Sequence, residues 1–428
     1  MGSSMGKAIS RTATAISGLV AVSLAFGSVA PASADPATDG SWYFDAFHIQ
    51  EAHDADLTGE GVTIAVFDTQ INLDVPTLNE ADIEVRPSGC YNDAGNLIAP
   101  ESSDTPAEHA TNVLSYLVGS GQGYGDQAGV KGIVPDARIL FTLLGEAGEA
   151  GSASISVTCN PKDPKDTNTT FADGVYAAID AGADIISMSA SINASVESDL
   201  ALATALHEGI VVIASVSNDI LADQDLGGFP SYSNGVVGVQ SLDSAGRIQG
   251  DHVDSSVDVA GPGVNILWQG DGSWETQKLA TGTSIATPMV AGFVALAAQK
   301  YPDATGNQLL QSLIRNTGVE DHPLNYDPEF AYGYGVASAT HIFSVDPTVY
   351  DDVNPLVTVG EGDSPTAEEI ADPPEPQTDP WDDQQPVEVP NLLVTLVLPL
   401  LLGLGGLVVG AGVIALIVVL VVRRRKKS

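Results

Sequence analysis

Three residues stand where their types and local context suit covalent chemistry. Asp68 ends the most apolar strand-like segment of the chain, where a carboxylate is costly to bury unless a partner compensates its charge. His109 directly precedes a helix-like segment, and Ser284 opens another. A serine hydroxyl becomes an effective nucleophile when an imidazole takes its proton and a carboxylate orients that imidazole. The three residues therefore predict nucleophilic catalysis, provided that the fold brings them together.

The position of Ser284 at the start of a predicted helix adds a second catalytic feature. The first turn of a helix has free backbone N–H groups and the positive end of the helix dipole. Both stabilise negative charge that develops on a carbonyl oxygen next to the nucleophile. The serine is thus predicted to have an oxyanion-binding site beside it.

Alternating strand-like and helix-like segments must position these residues. Short runs rich in Val and Ile are typical of strands buried on both faces; they are Val62 to Asp68, Arg138 to Leu143, Ile185 to Met188, Ile210 to Ala214 and Val236 to Val239. Segments with helical spacing or helix-forming composition lie between and after them; they are Thr111 to Val118, Phe171 to Ala181, Asp199 to His207, Ser284 to Lys300 and Thr305 to Arg315. This alternation predicts an α/β fold with a mostly parallel sheet flanked by helices on both faces. Its active site is expected at the carboxyl ends of the strands.

Several strings around these residues resemble the subtilisin-like serine peptidases, the subtilases. The serine string Gly282 to Gly292 matches that family almost letter for letter, and aspartate, histidine and serine follow in the family's chain order. The other matching strings are Gly61 to Thr69, Gly129 to Ala137, the substrate-lining strand Ala183 to Ser189, and Val257 to Gly263, a loop preceding the serine. The resemblance extends from Trp42 to about Ser344 and implies the subtilisin-like fold.

The resemblance also implies a role for each site residue. It makes Asp68, His109 and Ser284 the catalytic triad of an endopeptidase and Asn218 the side-chain donor of the oxyanion hole. Peptide substrate is expected along two short segments, Ser189, Ala190 and Ser191 on one side and Ser215, Val216 and Ser217 on the other. No cofactor and no metal ligand set is predicted; members of the family often bind structural calcium, but no string here assigns such a loop.

Four positions depart from the family's usual glycines. They are Gln70, Ala110, Ser191 and Ser217. Glycine tolerates positive φ and close backbone approach, so each replacement could shift the site or narrow the cleft. Ordinary drift in an active peptidase is the favoured interpretation. The alternative is a catalytically impaired homologue that serves as a membrane-tethered binding or scaffold subunit.

Composition excludes several classes of protein. The 428 residues contain 55 acidic and 16 basic side chains, a net charge of −39, which argues against nucleic acid as a partner. The acidic excess is attributed to solubility, with steering of basic peptides as an alternative. Two cysteines are too few for a disulfide-dense scaffold or a four-cysteine zinc site. Cys90 and Cys159 are expected to form a disulfide if the domain is exported.

The amino-terminal segment predicts export. Lys7 and Arg11 precede an apolar run and an A-x-A site, which is the pattern of a signal peptide over residues 1–34, although an uncleaved anchor remains an alternative. Residues 35–60 form an amino-terminal extension too short to fold as an independent pro-domain. Its aromatic residues are expected to pack on the peptidase domain, residues 61–345.

The carboxyl-terminal segment predicts a membrane anchor. Residues 346–390 contain 13 acids, nine prolines and no Lys or Arg, which favours an extended stalk. Residues 391–422 form a predicted transmembrane helix, and Gly406 and Gly410 make a G-x-x-x-G pair in it that would allow self-association. The basic tail, residues 423–428, places the carboxyl terminus in the cytoplasm and the catalytic domain outside.

This layout is most similar to that of the actinobacterial mycosins, membrane-anchored subtilases of type VII secretion. The resemblance implies a single-pass protein of the cell membrane, a peptide or protein substrate, and association with a secretion machine.

Overall fold

The computed structural model describes residues 40–147, 157–160, 170–218, 228–250, 255–320, 322–327, 332–360 and 362–374. The predicted signal peptide, the end of the predicted stalk, the predicted transmembrane segment and the basic tail lie outside these ranges. Among the helices that are described, none is long and apolar enough to cross a membrane.

Seven strands form the central sheet. They are β1 (Thr63–Asp68), β2 (Ile83–Val85), β5 (Arg138–Leu143), β8 (Ile185–Met188), β9 (Val211–Ser215), β10 (Val237–Leu242) and β11 (Val259–Pro262). Their order across the sheet is β11-β10-β9-β8-β1-β5-β2, and every pairing within it is parallel. The prediction of an α/β fold with a mostly parallel sheet is therefore confirmed. Strands β5 and β2 lie on one side of β1, and β8 to β11 follow on its other side, so the strand order reverses at β1. Open α/β sheets bind ligands at such a switch point.

Six further strands form three antiparallel pairs outside this sheet. They are β3 (Ser120–Gln122) with β4 (Ala128–Lys131), β6 (Glu146–Ala147) with β7 (Val157–Thr158), and β12 (Ile266–Gln269) with β13 (Gln277–Ala280). The β12–β13 hairpin directly precedes the helix that carries Ser284.

Helices cover both faces of the sheet. They are α1 (Trp42–Ala46), α2 (Ile49–Asp54), α3 (Glu108–Val118), α4 (Thr170–Asp180), α5 (Val196–His207), α6 (Thr283–Lys300), α7 (Gly306–Arg315), α8 (Ala339–Ile342) and α9 (Ala367–Ala371). Alternate residues of β1 point to opposite faces, so Ile64 and Val66 join the core under α3 and α6. Ala65 and Phe67 join the core under α4 and α5. Burial on both faces explains why β1 is a continuous apolar run.

Three details differ from the sequence expectation. His109 lies inside the first turn of α3 rather than directly before the helix, because Pro106 stands in a 3-10 turn that begins the helix early. The string Val257 to Gly263, expected to be a loop, contains edge strand β11. Strand β2, which was not predicted, has only three residues and none is fully buried, so its sequence signal is weak.

The amino-terminal extension packs on the body through its aromatic residues. The rings of Phe47 and Phe293 stack with centroids 5.2 Å apart. Tyr43 is buried, and its hydroxyl donates to the backbone oxygen of Lys131. The indole of Trp42 donates to the backbone oxygen of Val264. These contacts attach the extension next to the site-bearing helix α6.

The expectation of an extended stalk from residue 346 is wrong for residues 346–360 and 362–374, here called the strap. Asp352 accepts hydrogen bonds from Thr305 and Asn307 at the start of α7. Farther along, Ser364 donates to Asp199 of α5, and Ile370 is buried against the core. The prediction was made from the average composition of residues 346–390, which does not reveal the single apolar and hydrogen-bonding residues that attach the strap to the domain.

Candidate active site

The carboxyl end of β1 places Asp68 beneath a surface cavity. Its side chain is completely buried. Atom Oδ1 accepts hydrogen bonds from the backbone N–H of Thr69 at 2.6 Å and from Nδ1 of His109 at 2.7 Å. The hydroxyl of Thr69 donates a third hydrogen bond to Oδ1, at 3.2 Å, while Oδ2 is buried and has no hydrogen-bond partner among the described residues. The three donors compensate for part of the hydration that the carboxylate loses on burial.

The bond to Asp68 determines the proton arrangement of His109. A carboxylate only accepts, so Nδ1 must carry the proton, and in the neutral ring Nε2 is left with a free lone pair. That atom is buried and has no hydrogen-bond partner among the described residues. His109 Nε2 is therefore available to take a proton from a neighbouring group.

Helix α6 places Ser284 in its first turn, one residue after the helix begins. The oxygen Oδ1 of Asn218 accepts a hydrogen bond of 2.9 Å from the backbone N–H of Thr283, which fixes the amide orientation. A methyl group added at Gly282 would lie 3.4 Å from Ser284 Oγ and 3.7 Å from Asn218 Nδ2. The hydroxyl and the amide donor thus share one small space beside Gly282.

A cavity of about 260 Å³ joins these groups. It is lined by His109, Ser189, Ala190, Ser191, Ser215, Val216, Ser217, Asn218, Trp268, Lys278, Ala280, Thr281, Ser284 and Ile285. All six residues predicted to bind substrate line it, together with His109, Asn218 and Ser284, while Asp68 lies beneath. The fold therefore brings the predicted triad, the predicted oxyanion-hole asparagine and the six predicted substrate-binding residues to one place.

Sequence reasoning missed the wall formed by the β12–β13 hairpin. Trp268 stands beside the catalytic histidine candidate, with its ring 6.0 Å from that of His109 between centroids. Lys278 lies directly opposite Trp268 in the hairpin register. Neither residue belongs to a recognisable string, although the hairpin's closeness in sequence to Ser284 was an available hint.

The replaced glycines require no unusual backbone. The non-glycine residues with positive φ in the described part of the chain are His48, Asp56 and Asn265, so Gln70, Ala110, Ser191 and Ser217 all have ordinary φ values. The Gln70 side chain donates to the backbone oxygen of Ala99, and Ala110 is buried within α3. Glycine is therefore not needed for backbone conformation at these positions.

Cys90 and Cys159 form a disulfide across 69 positions of sequence. It joins the segment after β2 to the segment after β7, so it connects regions on either side of α3 in the sequence. Over the ranges that the structure covers, no group of three or more His, Cys, Asp and Glu side chains is placed to hold a metal ion.

Comparison with known proteins identifies the family. Residues 59–335 match the subtilase family, peptidase family S8. This match covers more than half of the chain, and the chain therefore belongs to the subtilases, a family of serine endopeptidases. The family resemblance predicted from the sequence is confirmed.

Curated relatives are bacterial proteases. The chain is 25% identical over 275 residues to a thermostable alkaline protease from Halalkalibacterium halodurans, covering 64% of this chain and 66% of that protease. It is 26% identical over 300 residues to subtilisin Savinase from Lederbergia lenta, covering 70% of this chain and 96% of Savinase. The chain thus spans slightly less than two thirds of the first relative and nearly all of the second.

Solved structures include mycosins. MycP1 from Mycobacterium smegmatis has a TM-score of 0.52 and 23% identity, and the comparison covers 78% of this chain and 91% of that structure. A structure of MycP1 from the ESX-1 type VII secretion system has the same TM-score and identity. These likenesses establish a shared fold.

Proposed function

We propose that this chain is an active serine endopeptidase that uses Asp68, His109 and Ser284 as its catalytic triad. Ser284 Oγ attacks the scissile carbonyl carbon while His109 Nε2 takes its proton. The C–N bond then breaks, and the leaving amine receives that proton from His109. Water then attacks the ester carbon of the acyl-enzyme while His109 Nε2 takes a proton from it. The ester C–O bond breaks, the carboxylic acid leaves, and His109 returns the proton to Ser284 Oγ. Asp68 holds the ring and stabilises its charged form throughout.

The tetrahedral intermediate needs donors for its oxygen. The tethered amide of Asn218 and the backbone N–H of Ser284, free in the first turn of α6, supply them. The observation that carries the proposal is the pair His109 Nδ1 to Asp68 Oδ1 beneath a cavity that Ser284 also lines.

Labelling with a fluorophosphonate probe tests the proposal. We expect the wild-type chain to be labelled and Ser284→Ala to remain unlabelled, because the probe reacts with an activated serine hydroxyl. Ser233→Ala, a buried serine outside the cavity, serves as the matched control and should be labelled like the wild type. Equal labelling of wild type and Ser284→Ala would favour the alternative of a catalytically impaired scaffold subunit.

We further propose that the chain is exported and anchored by residues 391–422, with the peptidase domain outside the cell and the basic tail in the cytoplasm. The charge pattern of the two termini supports this topology. The position of the strap agrees with it: Ile370 accepts a hydrogen bond from His207, at the end of α5 that leads into β9. At Ile370 the strap therefore lies near the amino-terminal ends of the sheet strands, on the side opposite the cleft.

Removing residues 391–428 should release the protein from membrane fractions.

Association with a type VII secretion machine is the finer part of this proposal. The mycosin-like layout of the sequence and the shared fold with MycP1 support it. The substrate would then be a peptide or protein outside the cytoplasmic membrane.

A further inference from the structure

The two sides of the cleft differ in chemistry. Ser189 to Ser191 and Ser215 to Ser217 supply small, uncharged side chains around one part of the cavity. The β12–β13 hairpin supplies an indole and an ammonium group, from Trp268 and Lys278. These two groups are without a role in the mechanism described above.

The mechanism determines which part of a substrate meets the hairpin. His109 delivers its proton to the leaving amine, so the leaving segment must lie on the His109 side of Ser284. Trp268 lies next to His109, with the two ring centroids 6.0 Å apart, so the hairpin adjoins the place of the leaving segment. Residues directly opposite in an antiparallel pair project from the same face, so Lys278 stands beside Trp268. The residue that follows the cleaved bond is therefore the one nearest Lys278.

The hairpin is held firmly in this position. Asn112, one turn after His109 in α3, accepts from the backbone N–H of Gln269 at 2.7 Å and donates to its oxygen at 2.8 Å. Tyr116 of the same helix donates to the backbone oxygen of Leu267. The catalytic histidine and the hairpin therefore share one rigid support, as a selective subsite requires.

The cavity lining carries a positive charge, whereas the whole chain has a net negative charge. Among the described residues that line it, Lys278 is the one Lys or Arg side chain, and there is no Asp or Glu. Its ammonium lies 3.2 Å from Asp271, but the two side chains are 40% and 64% exposed. Exposed pairs of this kind contribute little, so a substrate carboxylate can replace Asp271 at small cost.

We propose that Lys278 makes the enzyme select an acidic residue directly after the cleaved bond, with Trp268 as the apolar wall of that subsite. This inference rests on the proposed peptidase function. It names the substrate class as peptides with Asp or Glu on the leaving side, although the net charge of −39 repels acidic peptides at long range.

Digestion of a proteome-derived peptide mixture by the full chain tests the proposal. Mass spectrometry of the products should find Asp and Glu enriched after the cleaved bond by about 2- to 5-fold, the range expected for an exposed ion pair. Lys278→Met should abolish the enrichment, and Lys278→Glu should replace it with a preference for Lys and Arg. Lys131→Met removes an equal charge outside the cavity and should leave the enrichment unchanged.

Each result separates the two claims. Labelling of Ser284 by the fluorophosphonate probe verifies that every variant retains an intact site. Cleavage without an acidic preference, or a preference unchanged in Lys278→Met, overturns the role of Lys278 and leaves the peptidase function standing. If the wild type produces no cleavage beyond that of Ser284→Ala, both proposals fail.

Discussion

At the scale of single residues, the candidate site depends on how side chains are aimed by their neighbours. Thr283 orients the Asn218 side chain, because its backbone N–H donates a hydrogen bond to the amide oxygen of Asn218. The Thr283 hydroxyl donates to the backbone oxygen of Val216 at 2.7 Å. The amide nitrogen is left to donate towards the space beside Ser284. The family resemblance identified Asn218 in the sequence, and the serine string contains Thr283. The aiming bond to Thr283 spans 65 positions and becomes visible in the folded chain.

Asn218→Ala should lower kcat by about 10²–10³, the loss known from removing the equivalent donor in subtilisin. KM should change little, because the donor pairs with the oxyanion of the transition state rather than with the ground state. Steady-state kinetics on a peptide substrate measures both constants. Asn96→Ala, an exposed asparagine, is the control and should match the wild type. A raised KM at unchanged kcat would instead make Asn218 a ground-state binding residue.

At the scale of elements, the strap changes the picture of a domain that ends at residue 345. Its main attachment is Asn234, a buried side chain whose amide donates to the backbone oxygens of Thr358 and Pro365. The same amide's oxygen accepts from the backbone N–H of Thr358. One asparagine thus satisfies backbone groups from two separate parts of the strap, which explains how a polar segment is held without a large apolar face.

Asn234→Ala should lower the free energy of unfolding by about 1–3 kcal/mol, because it leaves buried backbone groups without partners. The strap should also become cleavable by an added protease at concentrations that spare the wild type. Urea unfolding and limited proteolysis measure these effects.

Asn307→Ala is the matched control, since Asn307 makes one bond to the strap in a more exposed place. It should cost well under 1 kcal/mol. Equal losses in the two variants would contradict the view that Asn234 is the main attachment of the strap.

At the scale of the whole molecule, the acidic excess and one carboxyl group act on stability in the same direction. At pH 7 the chain carries a formal net charge of −39, and the resulting self-repulsion opposes compactness. Burial raises the pKa of Asp258 from its ordinary value near 3.8 to about 7. Its carboxylate receives one compensating bond, from the backbone N–H of Gly238 at 2.9 Å.

The pH dependence of stability follows from this raised pKa. Below about pH 4 the Asp258 carboxyl is protonated in both the folded and the unfolded chain, so its titration does not lower the free energy of unfolding there. Between about pH 4 and 7 the folded chain holds a proton that the unfolded chain has released. Stability therefore falls as pH rises through this window, by at most about 1.4 kcal/mol per pH unit, and is level above it with respect to this group.

Asp258→Asn should remove this slope, because an amide keeps the bond to Gly238 without titrating. Urea unfolding at several pH values between 4 and 8 measures the difference between variant and wild type. Asp303→Asn replaces an exposed aspartate and should keep the wild-type slope. Parallel pH curves for wild type and Asp258→Asn would show that Asp258 does not titrate in this window.

The sequence by itself determined the family, the parallel α/β sheet and the identities of the triad candidates. Those features depend on local patterns: a strand buried on both faces must be apolar throughout, and a nucleophile at a helix start needs a constrained string of residues. Tertiary structure decided the rest. The register of the hairpin places Trp268 opposite Lys278. The hydrogen bond from the backbone N–H of Gln269 to Asn112 holds this pair beside His109. The strap is ordered because Asn234 meets Thr358, 124 positions away. Contacts between residues so distant in sequence leave no local pattern, because each partner alone is an ordinary polar side chain whose energy depends on what the fold places opposite it.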